Sequence, residues 1–264
     1  MDTLYFEQKL EAVDFSVIDE ISALEPTAAF PIIEKGLTHP NEDVRELSVL
    51  ALEKRPEDKA VELLMKSIVD KDMSVQIAAL HAMAKRPSIK MVAGLKQALP
   101  QVDSDVRGEI VLLLGMCGDA SQIEYLRVLL MKAEKEGERE LSHDINLALA
   151  RLGDVAAQKS LLINLNSEQV EDRRDALQDF EYINDPRLVA ELKPLLNDTD
   201  VAMDIGKGPQ HVYLRICDLA VMSVNKVLGH PFSFAERGRQ FTKEERQGVA
   251  LYIERNYGKN KEGT

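Results

Sequence analysis

The tripeptide Lys-Arg-Pro occurs at Lys54-Arg55-Pro56 and again 31 residues later, at Lys85-Arg86-Pro87. The apolar residues around the two copies keep the same separation. Val44, Val75 and Val106 align, as do Ala51, Ala82 and Leu113, then Leu52, Met83 and Leu114. Past the turn, Val61, Val92 and Ile123 fall in line, followed by Leu64, Leu95 and Leu126, and by Ile68, Leu99 and Leu130. Within each copy these positions recur at three-, four- and seven-residue steps, so they form one stripe along a helix. Each copy therefore reads as two amphipathic helices joined by a short turn. A helix pair of this length cannot cover its own stripe, so the copies must stack on one another.

The register persists beyond the third copy. A slip of four residues, assigned to the charged run Met131–Glu140, moves Leu126 onto Leu161, and a further 31 residues lead to Leu192. The turns follow it, placing Asp119, Asp154 and Asp185 at one equivalent position. An Asp there caps the following helix by accepting hydrogen bonds from free amides, and Pro186 suits a first helical position. Pro56 and Pro87 punctuate the chain in the same way. Lys-Arg-Pro is thus a helix end, with cations near the negative pole of the helix dipole, followed by a turn. The reading is of one continuous all-α solenoid over 1–264, with about seven helical hairpins near 14–38, 42–70, 73–100, 104–134, 138–166, 169–198 and 209–258. First helices are expected on the convex side and second helices on the concave side.

Composition agrees with a helical protein: there is no Trp, aromatic residues make up 5%, and Leu, Ala, Glu and Lys are abundant. No stretch reaches the roughly 18 uncharged apolar residues of a membrane helix, and the acidic start lacks a signal-peptide pattern. The formal net charge of −12 opposes phosphate backbones and anionic lipid and suits a basic protein partner. Cys117 and Cys217 lie in apolar helical patterns and read as buried free thiols in a reducing cytoplasm.

Asp43-Val44-Arg45 and Asp105-Val106-Arg107 each open a helix rich in Leu, a Gly-Asp type of turn follows, and a second helix ends in Leu-Leu. This pattern resembles the HEAT-like repeats of the bilin-lyase type, within the ARM/HEAT superfamily, and covers about residues 40–200. The resemblance implies a right-handed α-α superhelix. It also implies that Arg45, Arg107 and Arg174 bond to acidic residues of adjoining repeats as a ladder, with a weaker rung where Gln76 replaces Arg. Members of that group include adaptor scaffolds, bilin lyases, a di-iron hydroxylase and DNA glycosylases.

The chemistry of those enzymes has little counterpart here. None of the five histidines is followed by Glu, as the di-iron pattern requires; Glu140 and His143 alone have an E-x-x-H spacing, and they read as solvated surface. A glycosylase needs a basic groove with aromatic side chains. Gly206-Lys207-Gly208-Pro209 lacks the spacing and the hydroxyl residue of a P-loop. No catalytic, cofactor or metal residue is therefore assigned.

The function expected is a non-catalytic interaction scaffold that holds a protein partner on its concave face. A cognate inhibitor or immunity protein for a basic toxin or enzyme, and a bilin-lyase-like enzyme, are the alternatives. The contact residues expected are Glu62, Lys66, Lys90, Gln97, Glu124 and Arg127 on the second helices. Lys207, His211 and Tyr213 join them from a long connection before the last repeat. Tyr213, Phe232, Phe234, Phe241, Tyr252 and Tyr257 gather at that end and read as its cap, with ligand binding as the other possibility.

Overall fold

The computed structural model describes residues 3–205, 211–235 and 238–258. Its internal packing divides the chain into two compact units, 1–148 and 149–264. In the first unit, α1 (Thr3–Glu11) precedes the pairs α2 (Ser16–Ser22) and α3 (Pro26–Leu37), then α4 (Glu42–Glu53) and α5 (Asp58–Ser67). Next come α6 (Met73–Ala84) with α7 (Val92–Ala98), and α8 (Ser104–Cys117) with α9 (Ile123–Glu136). Short 3₁₀ turns flank α7 at Ile89–Met91 and Leu99–Gln101, and another precedes α9 at Ala120–Gln122. Helix α10 (Arg139–Arg151) carries the chain across the division. The second unit contains α11 (Val155–Leu162), α12 (Val170–Ile183), 3₁₀ turns over Ile163–Asn166, Pro186–Leu192 and Pro194–Asn197, then α13 (Ile216–Val227) and α14 (Lys243–Tyr257).

Several of these elements start where a short polar side chain supplies an acceptor. Asn41 caps α4 and Asp72 caps α6, each taking a hydrogen bond from the amide two residues on, at 3.0 Å. Asp119 and Asp185 do the same for their elements, Asp154 accepts from the amide of Ala157 three residues on, and Pro186 occupies a first-turn position. Thr242 and Glu245 close a capping box at the start of α14. The four extra residues after Leu126 are absorbed by α9, which runs for 14 residues and stops at Gly137, φ +76°. Four residues are about one helical turn, so the insertion lengthens the helix without rotating its apolar stripe.

The aligned apolar positions form the interior. Val44, Val75 and Val106 are buried, and so are Leu64, Leu95 and Leu126. Where the stripe reaches the outer flank it is only half buried, as at Val61, Ile123 and Leu130.

Arginines tie the junctions between pairs. Arg45, almost fully buried, donates from Nη1 to the carbonyls of His39 and Pro40 at 2.9 and 3.0 Å, while Nε and Nη2 reach Asp70 at 2.9 Å. It thereby holds the turn before its own helix and the turn after its own pair. Arg173 repeats this geometry: Nη1 donates to the carbonyls of Ser167 and Glu168, and the guanidinium meets Asp198 at 2.8 Å and Asp200 at 2.5 Å. Arg107 makes a more exposed rung to Glu138 at 3.1 Å. Gln76 reaches only the Asp70 carbonyl, and its Oε1 is buried without a hydrogen-bond partner among the described residues. The expectation for Arg174 is corrected: that side chain turns outward to its neighbour Asp175, and Arg173 fills the ladder position. The register gives the reason, since the steps of 35 and 31 residues that relate Leu126 to Leu192 also carry Arg107 onto Arg173.

The repeated tripeptide does more than end a helix. Arg55 is buried, donates to the carbonyls of Ser22 and Leu24 at 3.2 and 2.7 Å, pairs with Glu57 at 2.6 Å and lies over the Phe30 ring. Arg86 reaches the Glu53 carbonyl at 3.0 Å across the same 33-residue separation, but from an exposed position.

One element departs from the all-helical expectation. Residues expected to connect two helices form an antiparallel hairpin of β1 (Val201–Ile205) and β2 (Val212–Arg215), pairing Asp204 with Tyr213 and Ile205 with Val212. Short β-branched and aromatic segments on either side of a Gly-rich stretch favour this arrangement.

Removing a ladder arginine leaves a largely buried carboxylate and carbonyls unpaired. Arg45→Ala or Arg173→Ala is expected to destabilise the protein by about 3 kcal/mol. Arg174→Ala should change stability by no more than about 0.5 kcal/mol. Urea denaturation midpoints measure both, and equal effects at 173 and 174 would contradict the assignment.

Candidate interaction surface

In the pairs α4/α5, α6/α7 and α8/α9 the first helix is the more enclosed. Seven of the twelve residues of α4 are buried, against four of ten in α5. Helix α9 buries only Leu126 and Ala133 in 14 residues. The side of each second helix opposite its stripe thus faces water, and the expected contact residues of the first unit lie there. Glu62 and Lys66 on α5, Lys90 and Gln97 around α7, and Glu124 and Arg127 on α9 are all exposed. Lys90 pairs with Asp58 at 3.2 Å, and Arg127 with Glu124 at 3.7 Å. Exposed pairs of this kind contribute at most about 1 kcal/mol and leave the side chains free to exchange partners.

Two further residues on this side were not singled out from the sequence. Val128 and Met131 on α9 are 60% and 70% exposed. Stepping by 31 residues would have found the first, because Lys66, Gln97 and Val128 are equivalent positions. The same step links Val69, Pro100 and Met131. These large apolar side chains are left exposed one turn apart, with the exposed Glu124 and Arg127 on the same helix.

In the second unit, His211 and Tyr213 stand exposed on the hairpin, and Lys207 lies outside the described residues. The His211 ring lies nearly parallel to that of Tyr213, with centroids 6.3 Å apart, and its Nδ1 is 3.0 Å from Asp204. The hairpin is anchored from below. Asp218, fully buried, accepts hydrogen bonds from the Arg215 guanidinium at 2.8 Å and from the amides of Arg215 and Phe241 at 3.0 and 2.8 Å. Arg215 also donates to the Phe241 carbonyl, and Gln240 to that of Tyr213.

The remaining C-terminal rings are buried or half-buried. Phe241 is buried, and Phe232, Phe234 and Tyr257 pack on the cluster that includes Phe180, Leu192, Ile216 and Val249. Phe232 meets Tyr252 edge to face at 5.1 Å. These rings belong to the packing of the second unit, whereas Tyr213 is 50% exposed.

Among the described residues, no group of three His, Cys, Asp or Glu side chains is placed to hold a metal ion. Glu140 and His143 are both exposed. Cys117 and Cys217 are buried free thiols, and burial followed by the nearby Asp218 carboxylate pushes the Cys217 pKa up. No described helix is long and apolar enough to cross a membrane.

Comparison with known proteins identifies the repeat. A family model described as HEAT repeats matches residues 30–111. A chain in the structure of the complex of CpcE and CpcF of phycocyanin lyase from Nostoc sp. PCC7120 superposes with a TM-score of 0.54 at 15% identity, covering 96% of this chain and 95% of that one. An engineered protein gives a TM-score of 0.38 at 18% identity, over 94% of this chain and 68% of that one. None of the curated proteins matches. Residues 30–111 thus match HEAT repeats, and the chain shares a helical-repeat fold with the phycocyanin lyase chain.

Asp218 gives the second unit a defined acid sensitivity. Burial pushes its carboxyl pKa up, but the Arg215 guanidinium and the amides of Phe241 and Arg215 outweigh this and hold it below the usual range near 4. Its stabilising contribution is present above about pH 4 and is lost as pH falls through the lowered folded pKa. Asp218→Asn should flatten the decline in stability below pH 4, as measured by denaturation at pH 6, 4 and 3. An unchanged slope in the variant would count against this role.

Proposed function

We propose that the protein is a non-catalytic scaffold whose second-helix face binds a protein partner. The observation that carries this reading is the exposed row running from Glu62 and Lys66 through Gln97 to Glu124, Arg127, Val128 and Met131. A repeat of 31 residues returns the same outward position on each second helix, so modest contacts add up over several repeats. Val128 and Met131 supply apolar area on the row, and Met adapts its shape to a partner. The net charge of −12 favours a basic partner by speeding encounter. The structurally similar chain belongs to a complex of two named components, CpcE and CpcF, and this supports a partner-bound role for the same kind of fold. A reducing cytoplasm as the site of action fits the two free thiols.

The test is affinity capture from the source cell at low and high salt, followed by titration of the captured protein. The double variant Val128→Asp, Met131→Asp is expected to weaken that binding by about tenfold or more while leaving the melting temperature unchanged. Glu62→Lys with Glu124→Lys should slow association and reduce the salt dependence. A single basic protein released by salt would assign the chain to the inhibitor class. A stoichiometric metal or bound chromophore in the purified protein, or a partner insensitive to both variants, would overturn the scaffold reading.

A further inference from the structure

A pocket of about 300 Å³ opens in the first unit between α7 with its trailing 3₁₀ turn and α9. Leu99, Leu129 and Leu141 form apolar walls, and Tyr125 and Lys96 also line it, the ammonium lying over the ring 4.2 Å from its centre. The other cations at the rim are matched: Arg107 meets Glu138 at 3.1 Å, and Lys132 meets Glu136 at 4.0 Å. Lys96 is half buried, yet no carboxylate among the described residues lies within ion-pairing distance of it. The chain has 45 acidic residues, so this is a local feature and not a shortage of anions.

The ring face attracts the Lys96 charge but accepts little from its three N–H donors, which keep hydrogen-bonding capacity for a stronger acceptor. The Tyr125 hydroxyl likewise makes no hydrogen bond to the described residues, and burial pushes its pKa up, keeping it a neutral donor. The pocket depends on the lengthened α9, since Lys132, Ala133 and Glu136 of its last turns complete the wall. At the equivalent position of the preceding pair the chain has Met65, and at that of the following pair Arg127, which is exposed and meets Glu124 at 3.7 Å.

We propose that this pocket binds a small organic anion. Lys96 and the Tyr125 hydroxyl receive a carboxylate, and an apolar body packs against Leu99, Leu129 and Leu141. The volume lies at the small end of ligand sites and limits that body to a single ring or a short chain. The amphiphilic lining selects against fully polar anions such as phosphate, which would leave the leucine walls against water. Lys96 is separate from the residues assigned to partner binding, so the pocket and the scaffold reading stand or fall independently.

Benzoate, hexanoate and the uncharged benzamide can be titrated into the full chain, following amide chemical shifts by nuclear magnetic resonance. At least one carboxylate should cause saturable shifts at Lys96, Tyr125 and Leu129, with benzamide at least about tenfold weaker. Lys96→Gln should weaken carboxylate binding about tenfold, Lys96→Arg should retain most of it, and Lys66→Gln should leave it unchanged. The proposal is overturned if neither carboxylate gives saturable shifts at these positions, if benzamide binds as well, or if Lys96→Gln has no effect. Partner capture by Lys96→Gln, expected to remain at the level of the unaltered chain, separates failure of the pocket from failure of the scaffold.

Discussion

A helix that has neighbours on every side must be apolar nearly all the way round, whereas a helix with one neighbouring face needs only a stripe. The distinction between first and second helices in this protein follows from that constraint. Helix α4 packs among α2, α3, α5 and α6, and it buries Val44, Leu47, Val49, Ala51 and Leu52. Helix α5 buries Ala60, Leu63 and Leu64 and leaves Glu62 and Lys66 in water. In the pairs from α4 to α9 stability is therefore concentrated in the first helix, and variable chemistry is available on the second.

The junctions between pairs carry the polar side of the same arrangement. Turns that enter and leave a buried helix expose backbone carbonyls that need donors. Arg45 and Arg173 satisfy two such carbonyls each and bring their own counter-charges, Asp70 in one case and Asp198 with Asp200 in the other. Lysine offers no planar fork with which to meet carbonyls on one side and a carboxylate on the other. Gln76 lacks the charge and the reach, and its side-chain oxygen has no hydrogen-bond partner among the described residues. Position along the repeat, more than residue type alone, decides which arginine is structural. Arg173 and Arg174 are adjacent in sequence, yet one lies in a junction and the other at the surface.

The helices and their caps were legible because their causes are local and recur. A three- and four-residue apolar rhythm, an Asp before a free amide and a Pro in a first turn each act within a few residues. The ladder was legible in kind, and its last rung was misplaced by one residue where a slip of four had to be carried through the count. The β-hairpin was not legible, because Val201–Ile205 and Val212–Arg215 are short and their pairing depends on support from Asp218, Gln240 and Phe241. Of the candidate surface, the polar residues of α5, α7 and α9 could be read from the register. Val128 and Met131 were hidden by residue type, because in an isolated helix they resemble further stripe positions, although the 31-residue step from Lys66 and Gln97 and from Val69 and Pro100 points to them. Only the packing of α9 shows that its stripe is narrow, with Leu126 and Ala133 as its buried members. The pocket beside Lys96 arises from the added turn of α9 acting together with α7, a relation across helices that no single segment encodes.

Native-state amide hydrogen exchange measures the central claim directly, because it reports the free energy of opening each helix. Enclosed first helices predict that the slowest amides belong to α4, α6 and α8, with protection close to the global unfolding free energy. Helix α9 should exchange faster by local opening, despite being as long as α8. Protection in α9 equal to or above that of α8, or uniform protection across first and second helices, would contradict the account.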